Sequence, residues 1–271
     1  MKITVLMENT SASESLTAEH GLSFYIETAG HTLLLDTGAS DATWANAAVL
    51  SCDPAKVDTV ILSHGHYDHA GGLPGFLRLN DHARIWLRRG ADGAFYHGEK
   101  YIGIDPGIAE CARLHWIDET GVTRIDSELS LFSGITGRRL WPSGNRVLTE
   151  RRDGAERQDE FLHEQCLVIR EGKRNVLFSG CAHNGILNIL ARYRALYGGE
   201  PDAVLSGFHM MKKTEYTPEE RSDIRETARE LAGTGIRFYT GHCTGELPYL
   251  LMKETLGERL ERLQCGCVFV L

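Results

Sequence analysis

The chain has 271 residues, of which 42% are hydrophobic and 24% are charged, a balance typical of a globular protein. Its formal net charge of −8 disfavours broad binding to nucleic acid, because an acidic chain repels the phosphate backbone. No apolar run approaches the roughly 18 residues that a transmembrane helix needs, so no membrane span is expected. The length suits one domain over residues 1–271.

The N-terminus and the cysteines indicate the compartment. Residues 2–8 are apolar for a few positions only, which is typical of a first β-strand and not of a signal peptide. The seven cysteines are odd in number and scattered along the chain, which predicts reduced thiols. Both features favour a cytoplasmic protein.

Short apolar or alternating runs predict strands, and longer amphipathic runs predict helices. Strands are predicted over residues 2–8, 22–28, 31–36, 57–62, 165–170, 175–178, 203–205, 236–240 and 267–271. Helices are predicted over residues 41–50, 186–197, 218–231 and 248–263. Asp41 and Thr217 are expected to cap two of these helices, with Pro218 at a first helical position.

The middle segment, about residues 88–161, is rich in glycine and charge. It predicts irregular segments and edge strands on the substrate side of the protein, because long excursions of this kind often carry binding function. Around it, strands come first in each part of the chain and helices follow. This order predicts two sheets packed face to face with helices outside, an αββα sandwich of the α/β class.

The most informative segment is SHGHYDHAGG, residues 63–72, which directly follows a predicted buried strand. It carries four potential metal ligands. A tight turn after a strand can aim His64 and His66 at one ion, and Asp68 and His69 at a second ion nearby. Imidazole nitrogens and carboxylate oxygens suit zinc and also iron or manganese. The alternative is a solvated, histidine-rich surface turn.

Three glycines belong to the same segment, at positions 65, 71 and 72. Glycine has no Cβ atom and therefore accepts backbone conformations that other residues avoid. We expect Gly65, Gly71 and Gly72 to let the chain turn sharply around the ligands.

The HxHxDH pattern at residues 64–69 resembles the signature of the metallo-β-lactamase superfamily. Three further segments are similar to that superfamily, in the expected order: LLDTG at 34–38, NVLFSGC at 175–181 and YTGH at 239–242. The resemblance implies an αββα sandwich and a metal-dependent hydrolase. It also implies two divalent metal ions, with zinc favoured over iron or manganese.

Other segments are similar to one subgroup of the superfamily. They are LMENT at residues 6–10, SGCAHNG at 179–185 and GFH at 207–209. The subgroup includes a 7,8-dihydropterin ribofuranosyl-aminobenzene phosphate synthase of methanopterin biosynthesis. This resemblance implies a small, phosphate-bearing substrate.

The resemblance also implies the remaining metal ligands. His163 takes the place of a third histidine for the first metal, the alternative being a surface histidine. Cys181 stands where the superfamily often has aspartate, and either Cys181 or His183 completes the site, because residues two apart on an extended segment share a face. A buried, inert cysteine is the alternative there. His242 is implied as a ligand of the second metal, with a structural histidine as the alternative, and Asp36 would orient a ligand without binding metal.

His209 follows a predicted strand and precedes two lysines. We expect His209 to contact substrate, and Lys212 or Lys213 to meet an anionic group, with a solvated loop as the alternative. The other histidines show no ligand spacing and are expected to be ordinary surface or structural residues: His20, His31, His82, His97 and His115.

Together these residues predict a metal-dependent hydrolase of a small anionic molecule, a phosphorylated or cyclic phosphate compound. Two adjacent metal ions can lower the pKa of a bridging water toward neutrality, and Asp68 is expected to bind metal and accept a proton. No catalytic triad, Walker loop or dinucleotide motif competes. The alternatives are a thioesterase or lactonase on the same fold, a di-iron redox protein, and a non-catalytic metal-binding protein. The oligomeric state is left open.

Overall fold

Two seven-stranded sheets lie at the centre of the protein in the computed structural model, which describes residues 1–271. The strands, in chain order, are β1 (Lys2–Met7), β2 (Ser23–Glu27), β3 (Thr32–Leu35), β4 (Thr59–Ile61), β5 (Arg84–Arg88), β6 (Ala94–His97), β7 (Lys100–Tyr101), β8 (Leu114–Ile117), β9 (Val122–Arg124), β10 (Leu129–Phe132), β11 (Leu148–Arg152), β12 (Ala155–Gln158), β13 (Cys166–Glu171), β14 (Arg174–Phe178), β15 (Ala203–Leu205), β16 (Arg237–Thr240), β17 (Leu260–Arg262) and β18 (Val268–Val270). The helices are α1 (Ala42–Val49), α2 (Tyr67–Ala70), α3 (Leu73–Leu79), α4 (Ile186–Tyr197), α5 (Pro218–Ala232) and α6 (Glu246–Leu256).

The two large sheets have the same internal organisation. The first has the order β18-β1-β2-β3-β4-β5-β8, and the second has the order β17-β16-β15-β14-β13-β10-β9. In the first sheet β3, β4, β5 and β8 are parallel, and in the second β14, β15, β16 and β17 are parallel. The other pairings are antiparallel. Each sheet therefore has one parallel half, whose carboxyl ends can share an edge.

Alternating side chains cover both faces of each sheet, since successive residues of a strand point to opposite faces. In β2, Phe24 enters the core between the sheets, whereas Tyr25 packs toward α1 and α3. In β13, Leu167 enters the same central core, whereas Val168 packs with α4, α5 and α6. Full burial of one such apolar side chain contributes roughly 1.5–3 kcal/mol. The layers run helix, sheet, sheet, helix, so the predicted αββα sandwich is confirmed.

The middle segment carries more regular structure than its sequence indicates. Strands β6, β7, β11 and β12 form a third sheet of four strands in the order β12-β11-β6-β7. Phe95, Ile102 and Leu148 pack beneath this sheet against Phe161. Its strands are two to five residues long, which is too short for alternation to be recognised in the sequence.

The last helix ends earlier than predicted. Helix α6 stops at Leu256 because Gly257 takes a left-handed backbone conformation with φ of 53°. Residues 260–262 then form β17, which pairs in parallel with β16. The prediction of a helix to residue 263 was therefore wrong, since tertiary pairing recruits this segment into the sheet.

Of the two predicted helix caps, one is confirmed and one is wrong. At the start of α5, the Thr217 side chain accepts a hydrogen bond from the Glu220 backbone and Pro218 is the first helical residue, as predicted. At α1 the Asp41 side chain makes no capping hydrogen bond, so the predicted cap was wrong. Asp41 forms an ion pair with Arg78 instead. No helix has the length and apolar character needed to cross a membrane.

Candidate metal centre

The candidate centre lies where parallel strands of both sheets end. Strands β3 and β4 of the first sheet and β14, β15 and β16 of the second each lead into a segment that holds a predicted site residue. The carboxyl ends of parallel strands meet at one edge of a sheet, and ligands of α/β proteins bind outside that edge. Packing two such edges together brings the five segments into one volume.

Four of these turns contain a non-glycine residue in the left-handed region of backbone conformation. Asp36, Ala182, His209 and His242 have φ values of 59°, 53°, 49° and 47°. Such conformations are strained, and they persist only where the surrounding structure holds them. Their clustering among buried polar residues makes this edge the candidate functional centre.

The first group of candidate ligands consists of three buried histidines, His64, His66 and His183. Their ligand nitrogens lie within 4.8 Å of one another, and His64 Nε2 is 3.3 Å from His183 Nε2. Two nitrogens bound to one tetrahedral zinc ion at about 2.0–2.1 Å lie about 3.3 Å apart. His66 Nε2 is buried without a hydrogen-bond partner. The three imidazoles therefore fit a divalent metal ion.

The second group consists of Asp68, His69, Cys181 and His242, all buried. His69 Nε2 lies 3.1 Å from Cys181 Sγ and 3.2 Å from His242 Nε2. Asp68 Oδ2 lies 3.3 Å from His242 Nε2. Nitrogen, oxygen and thiolate donors at this spacing also fit a divalent metal ion.

Burial and charge hold these groups in forms that suit metal binding. Burial lowers the pKa of His64 and of His183 well below the usual value, so both rings are neutral. Burial opposes ionisation of Asp68, but His69 and His242 outweigh it and hold the pKa of Asp68 well below its usual range. Burial raises the pKa of the Cys181 thiol, and a coordinating cation reverses this by favouring the thiolate.

Asp36 orients two of the histidines, His69 directly and His64 through Ser63. Its Oδ2 atom lies 2.6 Å from His69 Nδ1 and accepts a hydrogen bond from Ser63 Oγ at 2.8 Å. Because Ser63 Oγ gives its proton to Asp36, it accepts one from His64 Nδ1 at 2.8 Å. Both rings then direct Nε2 toward the candidate centre. The Nε2 atom of neutral His64 is bare, whereas at His69 burial is outweighed by the carboxylates of Asp36 and Asp68, which raise the pKa of His69 to about 9, so a metal ion must displace its Nε2 proton.

His163 is differently placed. Its Nδ1 atom accepts a hydrogen bond from the Gly65 backbone at 3.1 Å, and its Nε2 atom lies 3.2 Å from Asp159 Oδ2. It belongs to a separate group with His66 and Asp159. Both ring nitrogens thus have protein partners, and metal binding by His163 stays a prediction.

The two predicted substrate residues differ in their freedom to bind. The ring of His209 lies 4.1 Å from the ring of His183, and its Nδ1 atom is buried without a hydrogen-bond partner. Lys212 Nζ lies 2.8 and 2.7 Å from the two carboxylate oxygens of Glu220. The charge of Lys212 is therefore already paired, whereas His209 has a free ring nitrogen beside the first group.

Several residues at the centre carry no sequence signal. His20, expected to be an ordinary histidine, stacks on His242 with ring centroids 4.8 Å apart, and its Nε2 atom lies 3.3 Å from Asp68 Oδ2. Phe161, from the middle segment, stacks on His183 with centroids 4.3 Å apart and planes inclined by 4°. Both lie far in sequence from the groups they contact, so only the fold brings them to the centre.

The glycines of the ligand segment serve close approach of the backbone and not a left-handed turn. Gly65, Gly71 and Gly72 are absent from the glycines with positive φ. A Cβ atom on Gly65 would lie 2.1 Å from the carbonyl oxygen of Ala91, and one on Gly72 would lie 2.1 Å from that of Thr37. The expectation that the turn requires residues without a Cβ atom is therefore confirmed, and the reason is steric clash with neighbouring backbone.

The sequence profile of the metallo-beta-lactamase superfamily matches residues 16–217. The chain belongs to this superfamily. It is 32% identical over 215 residues to an uncharacterized protein of Methanocaldococcus jannaschii, covering 77% of this chain and 79% of the relative. It is 26% identical to the 7,8-dihydropterin-6-methyl-4-(beta-D-ribofuranosyl)-aminobenzene-5'-phosphate synthase of the same organism, covering 98% of this chain and 95% of the synthase.

A solved structure extends the comparison. The crystal structure of Tm1679, a metal-dependent hydrolase of the beta-lactamase superfamily, superposes with a TM-score of 0.84 at 30% identity, covering 100% of this chain and 99% of Tm1679. The metallo-β-lactamase fold implies binding of divalent metal, and both groups of donors fit that chemistry. The protein thus has a metal-dependent hydrolase fold with candidate metal-binding groups.

Proposed function

We propose that the protein is a hydrolase that uses two divalent metal ions, zinc first among them, and acts on a small phosphorylated or cyclic phosphate compound. The supporting observation is the pair of adjacent, buried donor groups, one with His64, His66 and His183 and one with Asp68, His69, Cys181 and His242. In the first group, burial lowers the pKa of His64, His66 and His183, and the Nε2 atoms of His64 and His183 face each other at 3.3 Å. Three neutral imidazoles at this spacing are a donor set that suits a divalent metal ion.

Cys181 and His183 have separate roles in this proposal. The Cys181 thiol groups with Asp68, His69 and His242, and it also groups with His183 and His209. It therefore lies between the two donor groups. We assign His183 to the first ion and Cys181 to the second. When bound, the ions supply the Lewis acidity that activates water and stabilises developing negative charge.

The chain's own residues complete the chemistry. The Asp68 carboxylate stays ionised and can accept a proton from the attacking water. Phe161 covers one face of His183 and excludes bulk water from that side of the centre. The ring of His209 lies beside the first donor group, and its buried Nδ1 atom has no hydrogen-bond partner, so we assign His209 to contact a substrate that enters the centre. The chain thus supplies a proton acceptor in the second donor group, Asp68, and a substrate contact beside the first, His209.

The choice of a phosphorylated substrate rests on charge. Bound metal ions are the largest local charges in such a centre and attract an anion even in an acidic chain. The synthase relative, which matches over nearly its full length, is named after a compound that carries a 5'-phosphate. In the loop after His209, Lys213 is exposed and Lys212 is paired with Glu220. Lysine serves as a point-charge phosphate binder, and Lys212 must leave Glu220 to do so.

A metal analysis combined with a substrate panel tests the proposal. The panel contains phosphomonoesters, cyclic phosphodiesters, thioesters and lactones. We expect hydrolysis of a phosphate compound that chelation abolishes and that added zinc, manganese or iron restores. His66→Ala is expected to lose metal and activity together, whereas His82→Ala, which alters an exposed histidine outside both groups, keeps both.

Two results would contradict different parts of the proposal. Full activity in a metal-free preparation would reject metal-dependent hydrolysis. Turnover of lactones or thioesters far faster than that of any phosphate compound would reject the substrate class and leave the metal centre standing.

A further inference from the structure

The side chain of Asn145 makes two hydrogen bonds to His183. The Asn145 Nδ2 atom donates to the backbone carbonyl oxygen of His183 at 2.7 Å, and Asn145 Oδ1 lies 3.0 Å from His183 Nδ1. The backbone nitrogen of His183 donates to buried Glu164 at 2.7 Å. One amide and one carboxylate therefore hold both the ring and the backbone of this histidine.

His242 is held in the same way by a different part of the chain. Asn9 Nδ2 donates to the carbonyl oxygen of His242 at 3.3 Å, and Asn9 Oδ1 lies 2.8 Å from His242 Nδ1. The backbone nitrogen of His242 donates to the carboxylate of buried Glu8. Glu8 and Asn9 belong to the LMENT segment, to which the proposed function assigns no role.

The orientation of each amide follows from its partners. A backbone carbonyl oxygen only accepts hydrogen bonds, so the amide nitrogen must face it and the amide oxygen must face the ring. The amide oxygen also only accepts, so Nδ1 of the ring must carry the proton. In a neutral imidazole this leaves Nε2 with a lone pair, and Nε2 of His183 faces His64 while Nε2 of His242 faces Asp68 and His69.

We propose that Asn9 and Asn145 are positioning residues that hold His242 and His183 in the Nδ1-protonated tautomer, each presenting a bare Nε2 atom to its metal group. The inference rests on the proposed function in that it takes both histidines as ligands. The ring cannot turn over without breaking its bond to the amide, and the backbone is held at the carbonyl by the same side chain. Partners that fix the tautomer of a ligating histidine are a known requirement of metal sites.

The repetition of the arrangement supports this role. Asn9 follows β1, whereas Asn145 lies in the 3-10 turn Ser143–Val147 of the middle segment. The two turns are unrelated in sequence, yet each supplies one asparagine to one histidine of one donor group. A chance packing contact has no reason to recur with the same four atoms at both groups.

Asn9 has one further contact, which holds the ring of His20 in the opposite tautomer. Its Nδ2 atom also lies 3.3 Å from His20 Nδ1, so that nitrogen accepts and His20 carries its proton on Nε2. The Nε2 atom that carries this proton lies 3.3 Å from Asp68 Oδ2. One amide thus gives His242 a bare nitrogen toward the metal group and gives His20 an N–H toward the carboxylate that we assign as a ligand.

Nitrogen-15 NMR of the histidine rings tests the inference in the metal-free protein, where it reads the tautomers directly. We expect Nδ1–H at His183 and His242 and Nε2–H at His20 in the wild type. Asn9→Leu is expected to disturb only His20 and His242, and Asn145→Leu only His183. In a metal titration, each variant is expected to lose affinity about 10–100-fold for its own ion alone.

Asn9→Asp and Asn145→Asp are the matched variants, because they keep the oxygen that accepts from Nδ1 and lose the amide donor. We expect both to retain the Nδ1–H tautomer and more metal affinity than the leucine variants. An Nε2–H tautomer at His183 or His242 in the wild type overturns the inference even if no variant folds. Unchanged tautomers and affinities in folded leucine variants overturn it as well. The expected tautomers in a wild type that binds no metal would contradict the proposed function instead.

Discussion

Asp36 and His69 form a direct contact in which Asp36 Oδ2 lies 2.6 Å from His69 Nδ1. A carboxylate only accepts hydrogen bonds, so His69 is protonated at Nδ1 and presents Nε2 to the second donor group. Through Ser63 the same carboxylate also orients His64 of the first group. Asp36 therefore links the two candidate metal groups without contributing to either.

We expect Asp36→Asn to weaken binding of both metal ions, each by about 10–100-fold. The amide nitrogen of the variant would donate where Asp36 accepts, which favours the wrong tautomer of His69 and releases Ser63. Ser63→Ala is the matched control, since it removes only the link to His64 and is expected to affect the first ion alone. Isothermal titration with zinc measures both affinities. An Asp36→Asn protein that binds two ions normally would show that the contact does not orient His69.

We expect His183→Ala to lose more metal than Cys181→Ala. The first donor group has three members, so removal of His183 leaves two, whereas removal of Cys181 leaves three donors in the second group. Metal content by inductively coupled plasma mass spectrometry compares the variants. Cys166→Ala, which alters a buried cysteine of the helix-side core, controls for loss of a thiol. Full metal occupancy in both test variants would mean that neither residue is a ligand.

We expect combined substitution of Lys212 and Lys213 by alanine to raise the KM for a phosphate substrate roughly tenfold, the effect of losing one charged hydrogen bond. The kcat should change little, because a lysine that binds the substrate equally in the ground and transition states contributes to KM alone. Lys212→Ala alone is expected to have the smaller effect, since Glu220 already pairs with Lys212. Steady-state kinetics of the two single variants and the double variant tests this. An unchanged KM in the double variant would show that neither lysine contacts the substrate.

Glu220 predicts a pH dependence of stability at the start of α5. The hydrogen bond from Lys212, together with that from the Thr217 backbone, lowers the pKa of Glu220 from 4.5 to about 2. A folded-state pKa below the unfolded value stabilises the fold above the unfolded pKa, and this contribution is lost as the pH falls from about 4.5 to about 2. Glu220→Gln should therefore melt below the wild type near neutral pH and approach it as the pH falls to about 2.

Glutamine still reaches back to the helix start, so the Glu220→Gln variant isolates the charge. Glu219→Gln is the matched control in the same helical turn. A melting difference for Glu220→Gln that does not depend on pH would contradict the assignment of this effect to the ion pair.

The sequence by itself determined the αββα sandwich and the location of the candidate centre. Strand β15 lies at residues 203–205, as predicted, and the HxHxDH segment follows β4 at the edge of the first sheet. These features are local. Hydrophobic runs specify strands, and a ligand that directly follows a strand is carried to the sheet edge by the strand itself.

Only the tertiary structure decided which partners surround those ligands. Asn9, His20 and Asn145 have no spacing relation to the HxHxDH segment, yet they contact His242 and His183 at opposite ends of the centre. The pairing of Lys212 with Glu220 and the recruitment of residues 260–262 into a sheet are also long-range or packing effects. Hydrogen bonds between distant segments depend on how the two sheets stack, and local periodicity contains no information about that stacking.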